Sequence, residues 1–133
     1  MNIEKKGIRI LLVDDDDGVR TSFTTLLTRK GYDIDPKSSG MEAVNSLKKN
    51  SYDILLTDLK TPNMNGLHLL KEARKIDSEL GVIIMTGYGE IASYLEAMDL
   101  GAVEYLNKPV KTSDLEVIIK RLLQGRKANT KEA

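Results

Sequence analysis

Five times along this chain, a short strand-like run, apolar except for a weak second one, gives way to a segment with helical spacing. The runs cover residues 8–13, 32–35, 53–57, 82–85 and 103–106. Where they are aliphatic throughout, as in Ile10-Leu11-Leu12-Val13, both faces of the strand must be buried, which is the habit of parallel strands. The intervening segments carry apolar residues on one helical face: Val19, Phe23, Leu26 and Leu27; then Ala43, Val44 and Leu47; then Leu67, Leu70 and Ala73; then Ile91, Leu95 and Met98; and finally Leu115, Ile118, Ile119, Leu122 and Leu123. Gly31 and Gly101 read as helix stops, Ser39 with Glu42 as a capping box, and Ser113 with Glu116 as a cap for the last helix. Pro36 is expected to end the weak second strand.

Five strand-helix units joined by short connections specify an α/β fold with a parallel sheet covered on both faces. Five units cannot close an eight-fold barrel, so the sheet is expected to be open and doubly wound. The 133 residues suit one domain, expected over residues 7–124. Residues 1–6 read as a polar extension, and 125–133, which lack periodicity, as a flexible tail or truncated linker.

Composition removes several classes of function. Twenty Lys and Arg balance twenty Asp and Glu, leaving none of the basic excess used for direct nucleic-acid binding. The absence of cysteine excludes disulfides and thiolate chemistry, and one histidine, His68, cannot build a zinc cluster. No apolar run approaches the ~18 residues needed to span a membrane, and the N-terminus lacks a signal-peptide core, so a cytoplasmic protein is expected.

In open doubly wound sheets, ligands bind beyond the carboxyl ends of the strands. At those positions stand Asp14, Asp15, Asp16 and Asp17 after the first run, Asp58 after the third, Thr86 after the fourth and Lys108 after the fifth. Taken singly, each has an ordinary explanation: a helix cap, a turn residue, a strand-end hydroxyl or a surface lysine. Taken together, they bring carboxylates, a hydroxyl and an ammonium to one rim. Crowded carboxylates repel unless a cation offsets them, and an all-oxygen donor set favours Mg²⁺, with Mn²⁺ as the alternative. Such a set suits phosphoryl transfer to a carboxylate nucleophile.

The motifs Val-Asp14-Asp15-Asp16-x-x-x-Arg20, Leu-Leu-Thr-Asp58-Leu-x-x-Pro62-x-Met-Asn-Gly66, Ile-Met-Thr86-Gly and Tyr105-Leu-x-Lys108-Pro109 resemble the receiver domain of bacterial two-component response regulators over residues 7–124. Thr57-Asp-Leu and Thr86-Gly-Tyr-Gly89 are most similar to receivers of NtrC-like transcriptional regulators. The resemblance implies a flavodoxin-like three-layer (βα)5 sandwich with strand order 2-1-3-4-5. It implies Asp58 as the acceptor of a phosphoryl group from a sensor histidine kinase. It further implies Asp14 and Asp15 as the Mg²⁺-holding pair, assisted by Asp58 and the Lys60 carbonyl. Thr86 corresponds to the switch hydroxyl, Lys108 to the phosphate-pairing lysine and Tyr105 to the aromatic that moves with Thr86. The fourth helix, fifth strand and fifth helix would then form the face that meets an output domain, a downstream protein or a second copy. Such a domain catalyses only its own phosphorylation and slow dephosphorylation. Gly87 stands where the family more often has Ala and Thr61 where it often has Met. Lys60 and Tyr88 occupy the positions that tune dephosphorylation in the family.

One rival is an enzyme. Asp15-Asp16-Asp17-Gly18-Val19 is similar to the signature of haloacid-dehalogenase-type phosphatases, with Asp15 as nucleophile and Asp17 as general acid, but this reading gives Asp58 no role. An EF-hand aligned on Gly18 puts Val13 at a ligand position, and Gly87-x-Gly89-x-x-Ala92 follows the wrong strand for a dinucleotide fingerprint.

Overall fold

The five runs form β1 (Arg9–Val13), β2 (Asp33–Lys37), β3 (Ile54–Asp58), β4 (Gly81–Thr86) and β5 (Glu104–Asn107). Between and after them lie α1 (Asp17–Arg29), α2 (Gly40–Lys49), α3 (Gly66–Ile76), α4 (Ile91–Asp99) and α5 (Thr112–Glu132). The computed structural model describes residues 7–59, 64–87, 91–101 and 104–132, with the backbone alone for 91–94 and 125–132. Expectations resting on Lys60, Thr61, Pro62, Tyr88, Gly89 and Val103 lie outside the described residues.

The sheet has the order β2-β1-β3-β4-β5, and all four neighbouring pairs run parallel. The α/β architecture and strand order are those expected. From β1 the chain crosses to β2 on one side, then returns to place β3 on the other. Strand order therefore reverses between β1 and β3, and the crevice at their carboxyl ends is the topological switch point.

Alternation along the strands splits the interior into two apolar layers. Leu11, Val13, Leu55, Val82 and Ile84 pack with Ala43, Leu47, Leu69, Leu70, Ala73 and Ala97 of α2, α3 and α4. Ile10, Leu12, Ile54, Leu56, Ile83 and Met85 pack with Leu27 of α1 and Leu115, Ile118 and Ile119 of α5. Most of these side chains are fully buried, each Val, Leu, Ile or Met among them contributing about 1.5–3 kcal/mol of apolar transfer free energy.

Several expectations are corrected. Pro36 lies inside β2, opposite Leu12, and does not end the strand. As an edge strand β2 bonds to β1 alone, so one side of it has no ladder for a missing N–H to break. On α4 two of the residues expected to face inward are turned out: Leu95 is 59% and Met98 38% exposed, whereas Ala97 is fully buried. A small side chain faces inward there, so the larger neighbours on the helix must face away. Leu26 of α1 is likewise exposed, and Leu27 alone among α1 side chains is buried. Ser113 lies within the first turn of α5 and not before it, since the Leu115 N–H already bonds to the Lys111 carbonyl. Glu116 instead pairs with Lys30 at 3.7 Å and Lys120 at 3.9 Å. The backbone of α5 continues as helix through residues 125–132, past the last apolar residue of its periodic face.

Candidate functional site

Each site residue is delivered by a strand end. Asp58 is the last residue of β3 and Thr86 the last of β4, one position earlier than a loop assignment would put them. Asp14 follows β1 directly, and Lys108 follows β5. Parallel pairing places Asp58 beside Met85 and Thr86 beside Asn107, so the ends of β3, β4 and β5 are level at one rim.

Asp14 is fully buried and held at four of its atoms. Its N–H donates to the Lys37 carbonyl at 3.2 Å, and its own carbonyl accepts from Arg20 Nη1 at 2.8 Å. Its Oδ1 accepts from the Asp16 N–H at 2.9 Å and its Oδ2 from Lys108 Nζ at 3.1 Å. The same ammonium donates to Asp58 Oδ2 at 3.0 Å, thereby bridging two carboxylates of different strands. Carboxylate oxygens of Asp14, Asp15 and Asp58 all lie within 4.8 Å of one another. Asp15, in contrast, is exposed, and among the described residues its carboxylate makes no hydrogen bond or ion pair.

The ammonium of Lys108 is held in its charged form. Burial alone would lower its pKa, but hydrogen bonds to Asp58 and Asp14, with the attraction of both charges, outweigh that and raise it. Thr86 joins this cluster through its backbone: its carbonyl accepts from the Lys108 N–H at 2.6 Å. Thr86 is almost fully buried. It lies two residues beyond Ile84, which pairs with Tyr105, so Thr86 and Tyr105 share one face of the sheet. Tyr105 packs against the layer containing Ile84 and Ala97, with its hydroxyl buried.

Asp16 and Asp17 serve the first helix, as expected of a cap and first-turn acid. Asp16 is the N-cap, accepting from the Val19 N–H at 3.0 Å, and Asp17 pairs with Arg20. His68 is exposed near the start of α3, where its N–H donates to the N-cap, Asn65.

Two contributors had no role in the sequence reading. Arg20 reaches back from α1 to the Asp14 carbonyl; the Asp17-x-x-Arg20 spacing was the available signal. Gly66 enters the sequence reading only as the last position of a motif. A Cβ at Gly66 would lie 2.8 Å from the Asp58 carbonyl oxygen and 2.9 Å from Leu59 Cα, so glycine lets α3 start against the strand end that carries Asp58. The Gly66 N–H also donates to the Leu59 carbonyl at 2.6 Å.

The three-carboxylate cluster has the donor chemistry of a hard divalent cation, with a lysine already offsetting part of its charge. The family model for the response regulator receiver domain matches residues 10–120. The chain belongs to this family. Among curated relatives of this receiver, the sporulation initiation phosphotransferase F of Bacillus subtilis is 34% identical over 115 residues, covering 86% of this chain and 93% of that protein. The regulatory protein AtoC of Escherichia coli is 35% identical over 116 residues, 87% of this chain but only 25% of that protein. A receiver domain protein from Clostridium thermocellum superposes with a TM-score of 0.86 at 34% identity, covering 91% of this chain and 98% of that one. NtrX from Brucella abortus, crystallised with ADP, superposes at 0.85 with 26% identity over 92% of this chain and 28% of that one. This receiver is thus a phosphorylation-based signalling domain of the two-component type, with transcriptional regulators among its relatives. No helix among the described residues is long and apolar enough to cross a membrane. The phosphatase reading gains no support, because Asp58 belongs to the cluster and Asp17 is engaged by Arg20.

Proposed function

We propose that this receiver accepts a phosphoryl group on Asp58 from the phosphohistidine of a sensor histidine kinase. An Asp58 carboxylate oxygen attacks phosphorus, the phosphorus–nitrogen bond breaks, and its electron pair leaves with the imidazole. The observation that carries this reading is the meeting of Asp14, Asp15 and Asp58 within 4.8 Å, with Lys108 bridging two of them. Mg²⁺, or Mn²⁺ in its place, would be held by Asp14, Asp15, Asp58 and the Lys60 carbonyl and would neutralise phosphoryl oxygens when bound. Lys108 keeps its proton and pairs with a phosphate oxygen once Asp58 carries the phosphoryl group.

The resulting dianion adds acceptor oxygens beside the end of β4, and the Thr86 hydroxyl is the group that answers them. Tyr105 shares its sheet face and follows it. The readout is the surface of α4, β5 and α5, where Leu95, Met98 and Val117 are exposed apolar side chains suited to an output domain, a downstream protein or a second copy of the receiver. The domain works in the cytoplasm and turns over no substrate beyond its own acyl phosphate.

The test is labelling with acetyl phosphate or a phosphorylated kinase, with and without Mg²⁺, followed by location of the adduct by mass spectrometry. Label on Asp58 that requires Mg²⁺ and disappears in Asp58→Asn supports the assignment. Label retained in that variant, or found on Asp15, overturns it.

A further inference from the structure

We infer that Arg20 is a positioning residue for the cation site, acting through the peptide that joins Asp14 to Asp15. The inference rests on the metal reading above and extends it to a residue that touches neither cation nor phosphate. Arg20 Nη1 donates to the Asp14 carbonyl at 2.8 Å, and its Nη2 pairs with Asp17. That carbonyl belongs to the Asp14–Asp15 peptide plane, which together with the following peptide, held at the Asp16 N–H, sets the direction in which the Asp15 side chain leaves the backbone.

The carboxylates of the cluster differ in what holds them. Asp14 is fixed by Lys108 and the Asp16 N–H, and Asp58 by Lys108 and its place in β3. The exposed Asp15 carboxylate makes no hydrogen bond or ion pair among the described residues, so its aim depends on its backbone. Two side chains restrain that backbone: Arg20 holds the Asp14–Asp15 peptide at its carbonyl, and the Asp14 carboxylate holds the Asp15–Asp16 peptide at its N–H. Asp17, on the same helix three residues earlier, holds the second guanidinium nitrogen. Arginine suits this task because its rigid fork engages a carbonyl and a carboxylate together, which a lysine cannot do with one geometry.

Positioning and simple charge make opposite predictions. Arg20 is a cation near a cation site, so by Coulomb repulsion alone its removal should tighten metal binding. If it orients Asp15, its removal should weaken binding, as loss of an outer support typically does by ~10-fold or more. The experiment is calorimetric titration of the unphosphorylated protein with Mg²⁺ and with Mn²⁺ for wild type, Arg20→Ala, Arg20→Lys, Asp17→Asn and Asp15→Asn, with thermal unfolding measured without metal. The expected result is a roughly 10-fold rise in Kd for Arg20→Ala, partial recovery in Arg20→Lys, a smaller rise in Asp17→Asn and loss of binding in Asp15→Asn. An unchanged or tighter Kd in Arg20→Ala overturns the inference, as does a metal-free unfolding temperature that falls in step with affinity across the Arg20 and Asp17 variants. Wild type that binds neither ion, or Asp15→Asn that binds as wild type, instead overturns the metal reading on which the inference rests.

Discussion

Because the Lys108 ammonium bridges Asp14 and Asp58, its titration is tied to folding. Its folded pKa is raised above the unfolded value of about 10.4. The bridge therefore stabilises the fold in full below that pH, and its contribution is lost as pH rises through the folded value. Thermal unfolding followed from about pH 9 to about pH 12 should show wild type losing stability more steeply than Lys108→Met; parallel curves would contradict the bridge. Gly66 offers a steric test. Gly66→Ala places a methyl against the Asp58 carbonyl and Leu59 Cα, so urea denaturation should report a loss of about 1–3 kcal/mol. At this scale the sequence was informative wherever chemistry depends on residue type. Asp14, Asp58 and Lys108 are polar groups at strand ends, and the fold has no other place to put them. It was silent on Arg20 and Gly66 because their roles lie in backbone contacts, which residue type alone does not encode.

Among the elements, α4 departs furthest from its periodicity. Leu95 and Met98 sit three apart and imitate an inward stripe, yet among the described side chains of the helix the buried one is Ala97. A nine-residue helix with mixed apolar residues can satisfy either face, and the choice is made by how closely its backbone must approach the sheet. Leu95→Ser should therefore change unfolding free energy by no more than about 0.5 kcal/mol, whereas Ala97→Leu should cost about 1–3 kcal/mol in chemical denaturation. The reverse ranking would restore the inward stripe. By contrast α2 was legible in full. Ser39 accepts from the Glu42 N–H at 3.3 Å, and Ala43, Val44 and Leu47 are buried as the capping box and spacing required. β2 was misjudged because the restriction on proline applies to strands paired on both sides, and edge position is a property of topology, not of the local run.

For the molecule as a whole, five aliphatic runs and five helical faces were enough to specify a parallel, doubly wound sheet. Strand order came from the family resemblance, since periodicity does not say which strands are neighbours. The sheet also acts as a partition. Ile84 and Ile119 belong to different layers, while Ile83 and Ile119 share one. Ile84→Val combined with Ile119→Val should cost the sum of the single changes, each about 0.5–1.5 kcal/mol, within about 0.5 kcal/mol. Ile83→Val with Ile119→Val should deviate from its sum, because one void can relax into the other. Sequence drift within one compartment can then proceed without compensation from the other. What the two compartments hold in common is the row of strand ends, the one region where neither can be altered alone.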